Sequence, residues 1–190
     1  MIALSVADHG EQDVDAAAGE REQSTLDPGL RAGADADRCG AVDYVYTGSI
    51  DDGAVYRGRV GAKTLEPFLP GGQDGRTQAT GIKIDGDRLL VAGAFTGRFF
   101  VYTDTGKLVS SYTVPNTGEK TLVNDAAVAP DGDVYLTDSF RPVVYRIPAA
   151  EVHAPATGTH RTLKVVYRLP DYVAGQSNGN GITTAPTASL

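Results

Sequence analysis

One phrase recurs along this chain, and its recurrence narrows the possible folds more than any single residue does. Residues 122–139 read LVNDAAVAPDGDVYLTDS. The stretch 126–129 is a short apolar strand. Pro130, Asp131 and Gly132 form a turn, proline fixing φ and glycine free to take a positive one. The stretch 134–137 is a second strand, β-branched and aromatic. An earlier version of the phrase, GIKIDGDRLLVA, spans 81–92. Asp85-Gly86 and Asp131-Gly132 lie 46 residues apart. Asn124 and Asn180 lie 56 apart, the excess matching an Ala-, Pro-, Thr- and Gly-rich insertion at 148–161.

Between these phrases the pattern is all strand and turn. Strands are expected at 42–47, 54–60 and 64–69, and Pro67 makes the last an edge strand. Then come 81–84, 88–92, 99–103 and 108–114, joined by hairpin-length turns. The third round is 126–129, 134–137, 143–147 and 163–169. A fourth opens at Gly179-Asn180-Gly181-Ile182. Four strands repeating at roughly 40–50 residues is the signature of propeller blades. A β-sandwich shares the turn spacing of about 8–12 residues but does not restart one four-strand phrase. The expected fold is therefore all-β: an incomplete β-propeller of about three four-stranded antiparallel blades over 41–190.

Residues 1–40 differ from the rest. They hold nine acids against three bases, which is most of the net charge of −7, and none of the 14 aromatic residues. So acidic and weakly apolar a segment does not offset the entropy of ordering, and it is expected to be a disordered or loosely helical flank. Its start, 1–7, is apolar but stops at Asp8, short of the basic start and run of about 7–15 apolar residues that a secretory signal needs. No stretch approaches the roughly 20 apolar residues of a membrane span. The acidic balance argues against nucleic acid or an anionic membrane as partner. Cys39 is the single cysteine, so no internal disulfide or thiolate cluster forms.

In a propeller the innermost strands line a central channel, and the residues just before them converge on one mouth. Those positions are Thr80, Asn124 with Asp125, and Asn180. An Asn carbonyl oxygen is a hard neutral ligand for Ca²⁺ or Mg²⁺, and its amide can bond a ligand oxygen. Asn and Asp also close turns on their own backbone, which serves Asn124, Asp125 and Asn180 equally well as an account. Asp138 and Ser139, at a strand end, are expected to satisfy backbone groups between blades. His153 and His160, seven apart in the insertion, have no third ligand nearby. Asp51-Asp52-Gly53 is a hairpin turn that lacks EF-hand spacing, and Gly71, Gly72 and Gly75 lack the Lys-Ser/Thr of a phosphate loop.

The phrases ATGIKIDGDRLLVAG (79–93), VNDAAVAPDGDVYLTDS (123–139) and NGNGI (178–182) carry a resemblance. From about residue 42 to 190 the chain resembles the six-bladed propellers of the senescence marker protein, gluconolactonase and luciferin-regenerating enzyme family. It is most similar to an actinobacterial-type branch whose members are often exported. The resemblance implies a divalent-metal-dependent hydrolase acting on a lactone or related ester. Its cation, Ca²⁺ or Mg²⁺, is held by a Glu, an Asn and an Asp from different blades. By position Asn180 matches the metal-ligand Asn. Asn124 matches a substrate-contact Asn, with Asp125 and Thr80 beside it. The Glu belongs to a first-blade inner strand with no match here, and the Asp to a blade beyond Leu190. No catalytic residue is assigned. The expectation is a gluconolactonase-like hydrolase fragment, inactive alone, whose cation binds only if a longer protein supplies the other ligands. The alternative is a non-enzymatic propeller domain binding a protein or sugar partner. Open edges also imply self-association.

Overall fold

A computed structural model describes residues 2–5, 43–173 and 176–185. Three sheets stand side by side, and the chain is an incomplete β-propeller. The first blade holds β1 (Ile2–Ser5), β2 (Tyr44–Ser49), β3 (Val55–Arg59) and β4 (Glu66–Leu69), in that order. The second holds β5 (Ile82–Asp85), β6 (Arg88–Ala92), β7 (Arg98–Thr103) and β8 (Leu108–Thr113). The third runs β9 (Val123–Val128), β10 (Val134–Asp138), β11 (Val143–Ile147) and β13 (Lys164–Arg168).

Two expectations about the elements need correction. The first blade has an inner strand after all: β1 pairs antiparallel with β2, Ile2 opposite Ser49 and Ser5 opposite Tyr46. Four residues so far along the chain from their partner leave no local signal. The insertion is also structured. It carries a one-turn helix, α1 (Ala149–Val152), and a strand, β12 (Thr159–Thr162). That strand pairs parallel with β8, Thr159 opposite Ser110 and Thr162 opposite Thr113, so the second blade has five strands. A single residue, Leu163, separates β12 from β13, and it is buried. One ribbon of chain thus closes the second blade and then the third. The flank expected to be disordered over 1–40 is strand at Ile2–Ser5, and the rest of it, Cys39 included, lies outside the described residues.

The blades are held by packing on both faces of the middle sheet. Along β6, Leu89 and Val91 face the first blade and, together with Phe100 and Tyr102 of β7, cluster with its Val55 and Leu69. Leu90 and Ala92 face the third, meeting Val123, Leu136, Tyr145 and Ile147. This two-sided burial is why the β6 sequence RLLVA shows no polar alternation. Polar anchors supplement it. Fully buried Arg76 donates to the Gly53 carbonyl at 2.6 Å, to Pro70 O at 2.9 Å and to the Tyr102 hydroxyl. Burial raises the Tyr102 phenol well above its ordinary range.

Asp138, fully buried, accepts from the backbone N–H groups of Leu122 (2.9 Å), Phe140 (3.0 Å) and Arg141 (3.2 Å) and from the Thr121 and Tyr145 hydroxyls. Arg141 donates in turn to the carbonyls of Pro115, Glu119 and Lys120. Asp138 therefore does the structural task that its place at a strand end suggested. Among the described residues no helix is long and apolar enough to cross a membrane.

Candidate functional site

The inner strands β5 and β9 approach closely at Gly81. Its N–H donates to the Asn124 carbonyl at 3.1 Å. A Cβ there would lie 2.3 Å from that same oxygen, so only glycine lets β5 and β9 meet. This contact brings Thr80 beside Asn124. The Thr80 hydroxyl lies 3.3 Å from Ala92 O and Val123 O and 3.4 Å from Asn124 O. Its single O–H is shared among these backbone carbonyls and braces the mouth, with no donor left over for a ligand.

Asn124 and Asn180 come together although 56 residues separate them. Asn124 Nδ2 donates to the Asn180 backbone carbonyl at 3.0 Å and also to its side-chain carbonyl. The Thr137 hydroxyl donates to the same backbone oxygen at 3.0 Å. The returning segment lies along the third blade: Asn178 N–H donates to Ser139 O at 2.9 Å, and the Thr184 hydroxyl to Val128 O at 2.7 Å. Asn180 is exposed and Asn124 half-buried, so both amides face solvent in part.

Asp125 does not join them as a free carboxylate. Its Oδ1 accepts the Ala126 N–H at 2.9 Å and lies 4.0 Å from Lys83 Nζ. Its Oδ2 lies 3.5 Å from the Ile182 N–H. The local donor set is thus two neutral amides, bonded to each other, and one lysine-paired carboxylate. Such a set does not by itself fit a divalent cation, which favours several charged oxygen ligands. Among the described residues no group of three His, Cys, Asp or Glu side chains is placed to hold a metal. The histidines of the insertion diverge. His153 Nε2 meets Asp85 Oδ2 at 3.0 Å. His160 sits between the Ser111 and Thr113 hydroxyls, each at 3.0 Å.

Lys83 escaped sequence reasoning because it pairs across blades, and only the inner-strand register shows that it faces Asp125. The Phe95 and Phe140 rings, 6.1 Å apart between centroids, escaped it for the same reason.

No protein-family model and no curated protein matches the chain. Among solved structures it is similar to selenomethionine-substituted virginiamycin B lyase from Staphylococcus aureus. The TM-score is 0.51 at 17% identity, over 74% of this chain and 42% of that one. A catalytically inactive variant of the same enzyme with quinupristin aligns with a TM-score of 0.49 at 15% identity, over 69% of this chain and 39% of that one. Likeness at such identity concerns the fold alone. The chain spans about two fifths of the length of these neighbours.

Proposed function

We propose that the mouth formed by Asn124 and Asn180 binds the carbonyl end of a lactone or related ester, as one part of a gluconolactonase-like hydrolase. The observation that carries this reading is the meeting of the two amides across 56 residues, Asn124 in the inner strand β9 and Asn180 in the returning segment, which forms no strand although a fourth round was expected to open there. Each Asn offers two N–H donors and one carbonyl acceptor. A ligand oxygen that replaces the Asn180 carbonyl as acceptor for Asn124 Nδ2 exchanges one hydrogen bond for another at little net cost. Thr80 and Thr137 hold the backbone while this exchange occurs. Asp125, tied to Lys83 and Ala126, positions β9 and is no general base in this arrangement. Ca²⁺ or Mg²⁺ belongs to the reading only where a longer protein adds carboxylates to Asn180. In that case the cation would polarise the ligand carbonyl. The donor set as it stands favours, as the second reading, a propeller that binds a sugar-like or protein ligand without turning it over.

The test is a titration of the 190-residue chain with glucono-1,5-lactone, followed by protein-observed NMR. Asn124→Ala is expected to weaken binding about tenfold, the scale of one or two lost hydrogen bonds. Asp131→Ala, at the opposite end of the inner strand, should leave it unchanged. Calcium should bind this chain no tighter than roughly millimolar, the range of sites with few charged ligands. Lactone binding that ignores Asn124→Ala removes the site, and micromolar calcium binding corrects the cation reading.

A further inference from the structure

The loop between β6 and β7 is fixed to the third blade in an uncommon way. Ala94, fully buried, adopts φ +51, a value that alanine rarely takes. It exchanges both backbone hydrogen bonds with Val123: Ala94 N–H to Val123 O at 3.1 Å, and Val123 N–H to Ala94 O at 3.0 Å. The next residue, Phe95, has its N–H held by Gln78 Oε1 at 3.0 Å, yet its side chain is 53% exposed. The ring is not loose. It lies against Phe140 of the third blade, with 33° between the planes, within the usual range for paired aromatics.

Phe140 is fixed as firmly. Asp138 Oδ1 accepts its N–H at 3.0 Å. The preceding residue, Ser139, donates its N–H to Leu122 O at 2.9 Å and accepts the Asn178 N–H at 2.9 Å. Both rings are therefore tied to the residues that lead into Asn124 and Asn180. The β6–β7 and β10–β11 loops that carry the two rings leave their sheets at the end where Asn124 opens β9, because β6 and β10 run antiparallel to the inner strands β5 and β9.

We propose that Phe95 and Phe140 form the apolar wall of the mouth and set its specificity. They select lactones or esters that carry a flat apolar group beside the carbonyl, and discriminate against polyhydroxylated sugar lactones. A ring stacked on the pair leaves its carbonyl next to the Asn124 amide. A hydroxylated ligand gains nothing from the rings and loses water at their surface. This inference rests on the reading of Asn124 and Asn180 as a ligand site.

The probes are two six-membered lactones, 3,4-dihydrocoumarin and glucono-1,5-lactone, titrated into the whole chain. The expected result is tighter binding of dihydrocoumarin by about tenfold, with the preference reduced to near parity by Phe95→Ala and kept in part by Phe95→Leu. Amide spectra of each variant confirm that the fold persists. If Phe95→Ala leaves the preference intact while Asn124→Ala weakens both probes, the wall is overturned and the amide site stands. If Phe95→Ala erases the preference and Asn124→Ala does nothing, the wall stands and the amide site falls. Equal binding of the two probes by the unaltered chain, or no binding of either, overturns the wall. The rings would then be contact surface for further blades.

Discussion

At the scale of single residues, several buried charged groups, Arg76, Asp138 and Arg141 among them, serve the backbone, and another, Asp133, gives stability a defined pH dependence. Asp133 is buried, and its Oδ1 accepts the Ala149 N–H at 2.9 Å at the start of α1, while Oδ2 is paired with Arg146. The Ala149 N–H first, and the Arg146 guanidinium second, hold this carboxyl below the ordinary carboxylate range. Its contribution to stability is therefore complete above the unfolded value of about 4 and is lost as pH falls through the lowered folded value. Asp133→Asn should accordingly be less stable than the parent at about pH 7, and the gap should close towards about pH 2. Urea midpoints across that range check it, and a gap independent of pH would show that the carboxylate charge is not what matters. Burial works at the other end of the scale, pushing the Tyr145 phenol up to about 12, with the Asp138 carboxylate adding to it. Stability from this group fades above about pH 10, where the unfolded phenol ionises first. Of these roles, the strand-end position of Asp138 was legible in the sequence. Asp133 was hidden within the turn after Asp131-Gly132, because its partners lie 13 and 16 residues further on, Arg146 in β11 and Ala149 in the insertion.

At the scale of elements, the sequence was legible wherever apolar alternation or a Gly-containing turn marked a hairpin. The strands β6 and β11 fall where the pattern put them, and Pro67 marks the outer strand of the first blade. What stayed illegible was pairing between distant segments. The sequence of β12, THRT, is four polar or half-polar residues and owes its strand state to the edge of β8 that it meets. Around it the insertion is pinned by side chains: Tyr112 Oη donates to Glu151 at 3.1 Å, Arg161 lies 3.4 Å from the same carboxylate, and Arg88 donates to Val152 O at 3.1 Å. Val152 is fully buried in the core shared by the second and third blades. Val152→Ala should cost about 2 kcal/mol, two methyl groups plus the cavity they leave. Hydrogen exchange should then rise at β8, β12 and β13 before it rises at β2 and β3. Uniform loss of protection would mean that the insertion is no separate fastener.

At the scale of the whole molecule, an incomplete ring has a face left over. On the third blade's side away from the second, the Tyr135 and Tyr167 rings stack with centroids 6.2 Å apart. Tyr167 is 59% exposed, and Val165 and Val166 are each 38% exposed. Strand β13 also ends its sheet with no further strand beyond it among the described residues. Apolar faces and unpaired strand edges recruit other chains. The 190-residue chain, expressed alone, should therefore self-associate, and light scattering coupled to size-exclusion chromatography measures it. A single monomer peak near 19.9 kDa with cooperative unfolding would show that these surfaces are not sticky enough to matter. The ribbon from β12 to β13 has a different kind of consequence, for how such a protein can be recombined. Repeats that contact only their neighbours can in principle be exchanged one at a time. Here a cut between the second and third units would strand the fifth strand of one on the gene segment of the other. The smallest piece that can be transplanted intact is the pair, and a chimaera joined at 114–122 should fail where one joined at 70–80 folds.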